Sequence, residues 1–378
     1  MRQGLKSGMA WVMDTLRLAP IPANLPATVP FVGPETLQRR LGQPFAARLG
    51  ANENGFGPSP RAVAAMQAAV LDIWQYGDAT SHDLTQALAA HLDLPADHIT
   101  VGEGVDGLLG NLVRLMIAPG DVVVTSDGAY PTFNYHVTGF GGVLHKVPYR
   151  DDAEDPAALT RAAHENGARM VYLANPDNPM GSWIRGTDIA AMLDDLPPGC
   201  LLVLDEAYLE FAPAGAISQI APDDPRVIRM RTFSKAYGLA GARIGYATGH
   251  PQLIAAFDRV RNHFGVNRIA QAGALAALQD QDWLARTLAQ VAQARTRIAA
   301  IATDNGLTAL PSATNFVAID TGRDGPFARA LVEALEAEGV FIRMPGTAPL
   351  NRCIRVSCAP PPELEVFAAA LPKALLRL

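Results

Sequence analysis

The chain has 378 residues, 49% of them hydrophobic and 18% charged, a length that favours two domains over one. A formal net charge of -6 and a pI near 5.8 leave no basic face for a nucleic-acid partner. No low-complexity segment, like-charge run or repeat of ~20–50 residues is visible, which excludes solenoids and propellers.

In chain order, residues 1–50 carry Pro20, Pro22, Pro26, Pro30, Pro34 and Pro44 and read as an extended arm with one short helix. Asp14 interrupts the apolar stretch Met9-Ala-Trp-Val-Met13, leaving it too short for a signal-peptide core or a membrane span, so a cytoplasmic protein is expected. Residues 61–71 turn helical and alanine-rich. Apolar runs at 98–101, 121–126, 170–174, 201–204, 227–231 and 243–248 then alternate with helical stretches, which predicts an α/β domain with a mainly parallel sheet over residues 51–265. Beyond it come one long helix over 269–300, a strand at 315–319, a helix at 327–338 and strands at 340–343 and 353–357. These predict a smaller α+β unit over 266–378, which the arm either joins or leaves free to act as a lid. Cys200, Cys353 and Cys358 have no metal-ligand spacing, so no metal is expected. Cys200 heads an apolar run and reads as a buried thiol, whereas the other two are open to either face. A reducing compartment fits all three.

The chemistry-bearing residues fall where predicted strands end, the ligand side of an open α/β sheet. In Thr232-Phe-Ser-Lys235-Ala-Tyr-Gly-Leu-Ala-Gly-Ala-Arg243 a lysine follows a strand, among hydroxyls and ahead of two glycines and an arginine. Partial burial would free its amine for a Schiff base with an aldehyde cofactor; the plain alternative is a solvated lysine in a surface turn. Asp205, in Leu204-Asp-Glu-Ala-Tyr208, ends a very apolar run, where an unpaired carboxylate is costly. A cationic ring nitrogen would pay for it, and Tyr208 could donate to a ring hydroxyl; a helix cap is the other reading, or a metal ligand, which is the weaker one because no histidine sits at ligand spacing. Asn178, in Asn175-Pro-Asp-Asn-Pro-Met-Gly181, could bond the same ring oxygen, and the Asn178–Pro179 bond is a cis candidate, although turn chemistry alone explains Asn and Pro here. Gly102-Glu-Gly104-Val105-Asp106-Gly107 opens a helix near Leu108 whose N–H groups would cradle a phosphate. It also matches GxGxxG, which raises a dinucleotide reading with Asp127. Tyr130 or Phe133 could stack on a flat cofactor, or both could pack in the core. Arg355, in a short strand, is either an edge charge or a two-pronged grip on a carboxylate. His136, His145, His164, His250 and His263 are scattered, and there is no Gly-x-Ser-x-Gly, HExxH or Walker motif.

Taken together these segments resemble the fold-type I pyridoxal-phosphate (PLP) aminotransferases, specifically the histidinol-phosphate aminotransferase group, from about Leu49 to Leu378. The resemblance is carried by Ala51-Asn52-Glu53-Asn54 with Gly57-Pro-Ser-Pro60, by Asn178-Pro179, by Asp205-Glu-Ala-Tyr208 and by Ser234-Lys235…Gly-Leu-Ala-Gly-x-Arg243. It implies a seven-stranded-type, mainly parallel sheet, PLP as cofactor, a homodimer with shared sites, and an amino donor and a 2-oxo acid as substrates in amino-acid biosynthesis. It also implies roles. Lys235 would carry the cofactor and move protons, Asp205 would hold the ring nitrogen, and Asn178 and Tyr208 the phenolic oxygen. Ser234, Arg243 and the backbone of Gly104, Val105 and Asp106 would bind the phosphate, with Tyr130 stacked on the ring. Tyr76 would reach a neighbouring subunit's phosphate. Arg355 would bind the substrate carboxylate, Arg343 the phosphate of histidinol phosphate, and Asn54 falls among the substrate-binding residues. Three features depart from the group: Met180 replaces a threonine, Gly107 an acidic residue, and Cys358-Ala-Pro-Pro-Pro the usual Gly-Thr-Pro-Glu-Glu. Aromatic or other amino-acid transaminases and phospho-amino-acid decarboxylases would fit the same frame; outside it stand a nicotinamide dehydrogenase and a non-catalytic sensor.

Overall fold

The structure, a computed structural model, describes residues 17–27 and 32–378; Met9–Met13 and Pro30 of the arm lie outside them. The largest sheet has seven strands: β2 (Ile99–Gly102), β3 (Val122–Ser126), β4 (Val143–Val147), β5 (Met170–Ala174), β6 (Leu201–Asp205), β7 (Val227–Thr232) and β8 (Gly245–Gly249), in the order β2-β8-β7-β6-β5-β3-β4. The run β4, β3, β5, β6, β7 is parallel, and β8 is antiparallel to both its neighbours. The expected mainly parallel α/β sheet is therefore present. All five residues of β5 and of β6 are buried, because helices cover both faces, and this is why these strands are apolar apart from Tyr172 and Asp205. Reversing β8 has one useful consequence: its leading end, next to Arg243, lies at the edge where the other strands finish.

Strand β4 escaped the sequence pattern because it is an edge strand. Only Val147 is buried, and His145 and Lys146 interrupt its apolar run. The single helix expected over 269–300 is two, Arg268–Gln279 and Gln281–Asp304, broken at Asp280. That carboxylate caps the second helix through Trp283 N–H and accepts the Ser59 hydroxyl, tying the break to the start of helix Pro60–Ala69. The predicted strand at 243–248 begins at Gly245, because Arg243 is left-handed, with φ 56°. The helix expected near Leu108 opens four residues earlier, at Gly104. A cis bond precedes Pro176 rather than Pro179, and another precedes Pro349.

The remaining strands are short. β10 (Phe316–Asp320) pairs antiparallel with β9 (Thr308–Ala309) and β12 (Cys353–Ser357), while β1 (Ala47–Arg48) pairs parallel with β11 (Val340–Phe341). The end of the arm is thus stitched to the C-terminal part of the chain: Leu49 N–H donates to Phe341 O, and Ser357 N–H donates to Leu49 O, each at 2.7 Å. The strand expected over 340–343 is only β11; Arg343 follows it as an isolated bridge to Arg355. Earlier, the described residues of the arm form two helices where one was expected, Pro20–Ala23 and Pro34–Leu41. All three cysteines are free and buried.

Candidate active site

The ends of β5, β6 and β7 open into a cavity of about 680 Å³, whose opposite wall comes from residues 343–347 and β12. Asp205 closes β6 and is 6% exposed. Its Oδ2 accepts from Tyr172 Oη at 2.6 Å and its Oδ1 from Ala207 N–H at 2.9 Å. Burial pushes its pKa up, against these two donors. Tyr172 is a site residue that the sequence motifs missed. Ala174 lies opposite Asp205 in the β5–β6 ladder, so Tyr172, two residues back, shares its face. A lone tyrosine inside an all-buried strand was the available signal, since its hydroxyl needs a partner.

Lys235 lies in the turn after β7. Its amine donates to Asn52 O at 3.0 Å and lies 5.3 Å from the centre of the Tyr208 ring. Burial, reinforced by the Arg355 charge, lowers its pKa to about 8. Tyr208 Oη accepts from Asn52 Nδ2 at 3.1 Å, and its ring meets Phe316 edge-on. Asn54 was expected among the substrate-binding residues. The structure instead buries it outside the cavity lining, with its amide on the carbonyls of Lys235 and Ala236 at 3.1 Å each, so it braces the lysine turn.

A small cradle sits beside the lysine. Arg243 Nη1 is 3.4 Å from Ser234 Oγ, and its Nη2 reaches Glu103 O at 3.5 Å, just ahead of helix Gly104–Met116. Gly104 has φ 79°, and a Cβ there would come within 2.5 Å of the Arg243 guanidinium; only glycine lets the helix start this close to the cation. Hydroxyl, guanidinium and the first helical N–H groups at Val105 and Asp106 are donors of the kind that could hold an anion. The Asp106 carboxylate is turned to His136 Nε2, at 3.0 Å.

Tyr130 lines the cavity, whereas Phe133 is fully buried and stacked on Tyr172 with ring centres 4.6 Å apart. Of the two, Tyr130 faces the site. Burial pushes its hydroxyl up to about 12. Asn178 also lines the cavity and accepts from Arg355 Nη1. Arg355 lies over the Phe316 ring at 5.2 Å, and burial lowers its pKa to about 10. Arg343 and Arg355 are directly paired through their backbones, so both side chains share one face, and both line the cavity. Arg343 also donates to Val32 O at 2.9 Å, bringing the arm to the cavity's edge. Tyr76 stands apart from the cavity of its own chain: it is 78% exposed and packs on Phe264.

The sequence motifs also missed a buried acid cluster behind Asn178. Tyr149 Oη donates to Asp177 Oδ1 at 2.7 Å, and Ser126 Oγ to Glu154 Oε2 at 2.6 Å. Burial raises both carboxyls, Asp177 to about 7. Met180, which stands where the related group has threonine, is buried against Leu350, Ala318 and Cys353, so packing replaces the lost hydroxyl. Among the described residues no group of three or more His, Cys, Asp or Glu could hold a metal.

The pieces gathered here are a low-pKa lysine, a buried carboxylate at hydrogen-bonding depth, an anion cradle and a flat ring. They fit PLP, whose aldehyde, ring nitrogen, phosphate and aromatic face need one of each. Residues 47–371 match the family described as aminotransferase class I and II. The histidinol-phosphate aminotransferase of Symbiobacterium thermophilum is 36% identical over 342 residues, covering 90% of this chain and 94% of its own. Histidinol-phosphate aminotransferase 1 of Mesorhizobium japonicum is 38% identical over 335 residues, covering 87% and 90%. A crystal structure of histidinol-phosphate aminotransferase from Sinorhizobium meliloti in complex with pyridoxal-5'-phosphate superimposes with TM-score 0.93 at 55% identity, over 96% of this chain and 98% of that one. Aspartate aminotransferase from Thermus thermophilus shares the fold, with TM-score 0.80 at 22% identity. The chain belongs to the class I and II aminotransferases.

Proposed function

We propose that the protein is a PLP-dependent aminotransferase of the histidinol-phosphate type, moving an amino group from a phosphate-bearing amino donor to 2-oxoglutarate. The observation that carries this reading is that the Lys235 amine, the Asp205 carboxylate and the arginines Arg243, Arg343 and Arg355 line a single cavity. Bound PLP supplies an electron-accepting pyridine ring. Asp205 keeps the ring nitrogen protonated, and Tyr172 holds that carboxylate in place. Asn178 and Tyr208 serve the phenolic oxygen, and Tyr130 covers the ring face. Ser234, Arg243 and the helix start at Gly104, Val105 and Asp106 take the phosphate. Lys235 attaches the cofactor and moves the proton at the donor's α-carbon, for which a pKa near 8 suits it at neutral pH. Arg355 grips the α-carboxylate of the acceptor, and Arg343 receives the donor's phosphate.

The same reading extends to assembly and location. Val70, Leu71, Ile73, Trp74, Tyr76 and Phe264 form an exposed apolar set that a second copy of the chain would cover, placing Tyr76 at the partner's cradle. Among the described residues no helix is long and apolar enough to cross a membrane, and the free thiols suit a reducing cytoplasm. In this reading residues 1–50 make the arm, 51–265 the large domain and 266–378 the small domain.

The test is a panel of amino donors with 2-oxoglutarate, read as glutamate formed. Histidinol phosphate should be the best donor. Glutamate from phenylalanine and none from histidinol phosphate would make the enzyme an aromatic transaminase, and carbon dioxide release without a keto acid would make it a decarboxylase. Light scattering in solution checks the dimer.

A further inference from the structure

Asn52 stands at the centre of contacts that the function above leaves unused. It is 3% exposed, and its backbone is left-handed, with φ 53°, a conformation open to Asn, Asp and Gly but costly for other side chains. Side chains from the far end of the chain hold it there. Its N–H donates to Ser357 Oγ at 3.0 Å, and Asn315 Nδ2 donates to the carbonyls of Asn52 and Glu53 at 3.1 and 3.2 Å. The Ser357 hydroxyl returns its proton to Asn52 Oδ1 at 3.4 Å, and this sets the amide with its NH2 toward Tyr208 Oη. An amide nitrogen only donates, so Tyr208 Oη accepts there. Its own proton then points away from Asn52, toward the cavity that Tyr208 lines. The carbonyl of the same residue takes the Lys235 amine.

We propose that Asn52 is a positioning residue for both proton-bearing groups: its side-chain amide aims the Tyr208 hydroxyl into the cavity, and its carbonyl seats the Lys235 amine whenever that amine is free. The inference rests on the cavity being a PLP site, where the aimed proton serves the phenolic oxygen. Asn52 touches no reacting atom; it acts through Tyr208 and Lys235.

Asn52→Gly isolates the claim, because glycine keeps the left-handed backbone and the carbonyl and removes only the amide. The charged groups around the Lys235 amine, namely Arg355, Glu53, Arg243 and Asp205, stay in place. With PLP bound, the visible band of the protein changes with pH. Its midpoint should rise by about one unit in Asn52→Gly, a tenfold shift in the proton equilibrium, as one directed hydrogen bond to a charged oxygen is lost. In a Tyr208→Phe background the same substitution should cause no shift. The chain has only four lysines, Lys6, Lys146, Lys235 and Lys373, so the Lys235 signal can be followed by NMR of lysine-labelled, cofactor-free protein. Its midpoint should be the same in wild type and Asn52→Gly, since the carbonyl seat remains.

A band shift that persists without the Tyr208 hydroxyl, or a Lys235 midpoint that moves in the cofactor-free protein, would overturn the proposal, because residue 52 would then act through the fold of its segment. A wild-type band with no shift in the variant overturns this inference alone. A wild-type protein that gives no band with PLP overturns the cofactor reading and this one with it. Should Asn52→Gly fail to fold, Asn52→Asp replaces it: its carboxylate accepts a hydrogen bond from the Tyr208 hydroxyl and raises the band midpoint, and that rise should shrink in a Tyr208→Phe background; a rise of equal size there would overturn the proposal.

Discussion

The sheet side of the cavity and its arginine side are built differently. On the sheet side the residues at the strand ends are held by neighbouring strands and turns: Asp205 meets Tyr172 and Ala207, Ser234 meets Thr232, and Arg243 meets Ser234. On the arginine side two guanidiniums stand on one short bridge. The Arg355 Nε is buried with no hydrogen-bond partner among the described residues, and Arg343 is steadied from the arm, through Val32. The first arrangement is preorganised before any ligand arrives; the second keeps the Arg355 Nε donor in reserve. In the function proposed above, reaction chemistry would belong to the sheet side and choice of substrate to the other.

Substitutions can break this division. Lys235→Ala should have the largest effect, a fall in turnover of at least ~10²–10⁴-fold with every donor, together with loss of the PLP-derived visible band and an unchanged circular dichroism spectrum. Arg355→Ala should come next. Losing a buried, two-pronged carboxylate contact costs about 2–5 kcal/mol, so the KM for 2-oxoglutarate should rise ~30-fold or more, and Arg355→Lys should recover little of it, because an ammonium lacks the planar fork. Arg343→Gln sharpens the contrast: KM should rise about tenfold for a phosphate-bearing donor, while glutamate, run in the reverse direction, should be nearly unaffected. Equal losses with both donors would mean that Arg343 does not read the phosphate.

Two smaller effects belong to the sheet side. The free amine of Lys235 is the form that attaches PLP, and its pKa is lowered from 10.5 to about 8 by burial first and then by Arg355. The attachment rate should therefore climb with pH up to a midpoint near 8 and level off above it; a midpoint near 10.5 in stopped-flow mixing would contradict this. Tyr172→Phe removes one of the two donors to Asp205. It should cost about 1 kcal/mol in urea unfolding and lower turnover far less than Lys235→Ala does.

The same division explains what the sequence discloses. Asp205, Lys235, Arg243 and Gly104 lie within short runs at strand ends, where a polar residue after an apolar stretch needs a reason, and local chemistry supplies one. Tyr172, Asp177, Glu154 and Asn52 act through partners on other elements. A tyrosine in an apolar strand looks like core until the ladder sets Ala174 opposite Asp205. Asn54 shows the opposite failure: it sits in the right motif, but chain geometry turns its amide onto the lysine turn. The break at Asp280 was hidden because both flanking helices are alanine-rich; the carboxylate that caps the second helix through Trp283 N–H is held in turn by the hydroxyl of Ser59, far back in the chain.

The pairing of Ala47 with Val340 sets an order on assembly during synthesis. Every strand of the seven-stranded sheet has been made once Gly249 leaves the ribosome, but β1 still lacks its neighbour, and Asn52 lacks Asn315 and Ser357. Contacts this far apart along a chain form late. A nascent or truncated polypeptide ending before Val340 would carry the lysine and the aspartate without the clasp that seats the amine, so these most widely separated contacts are among the last to finish the pocket.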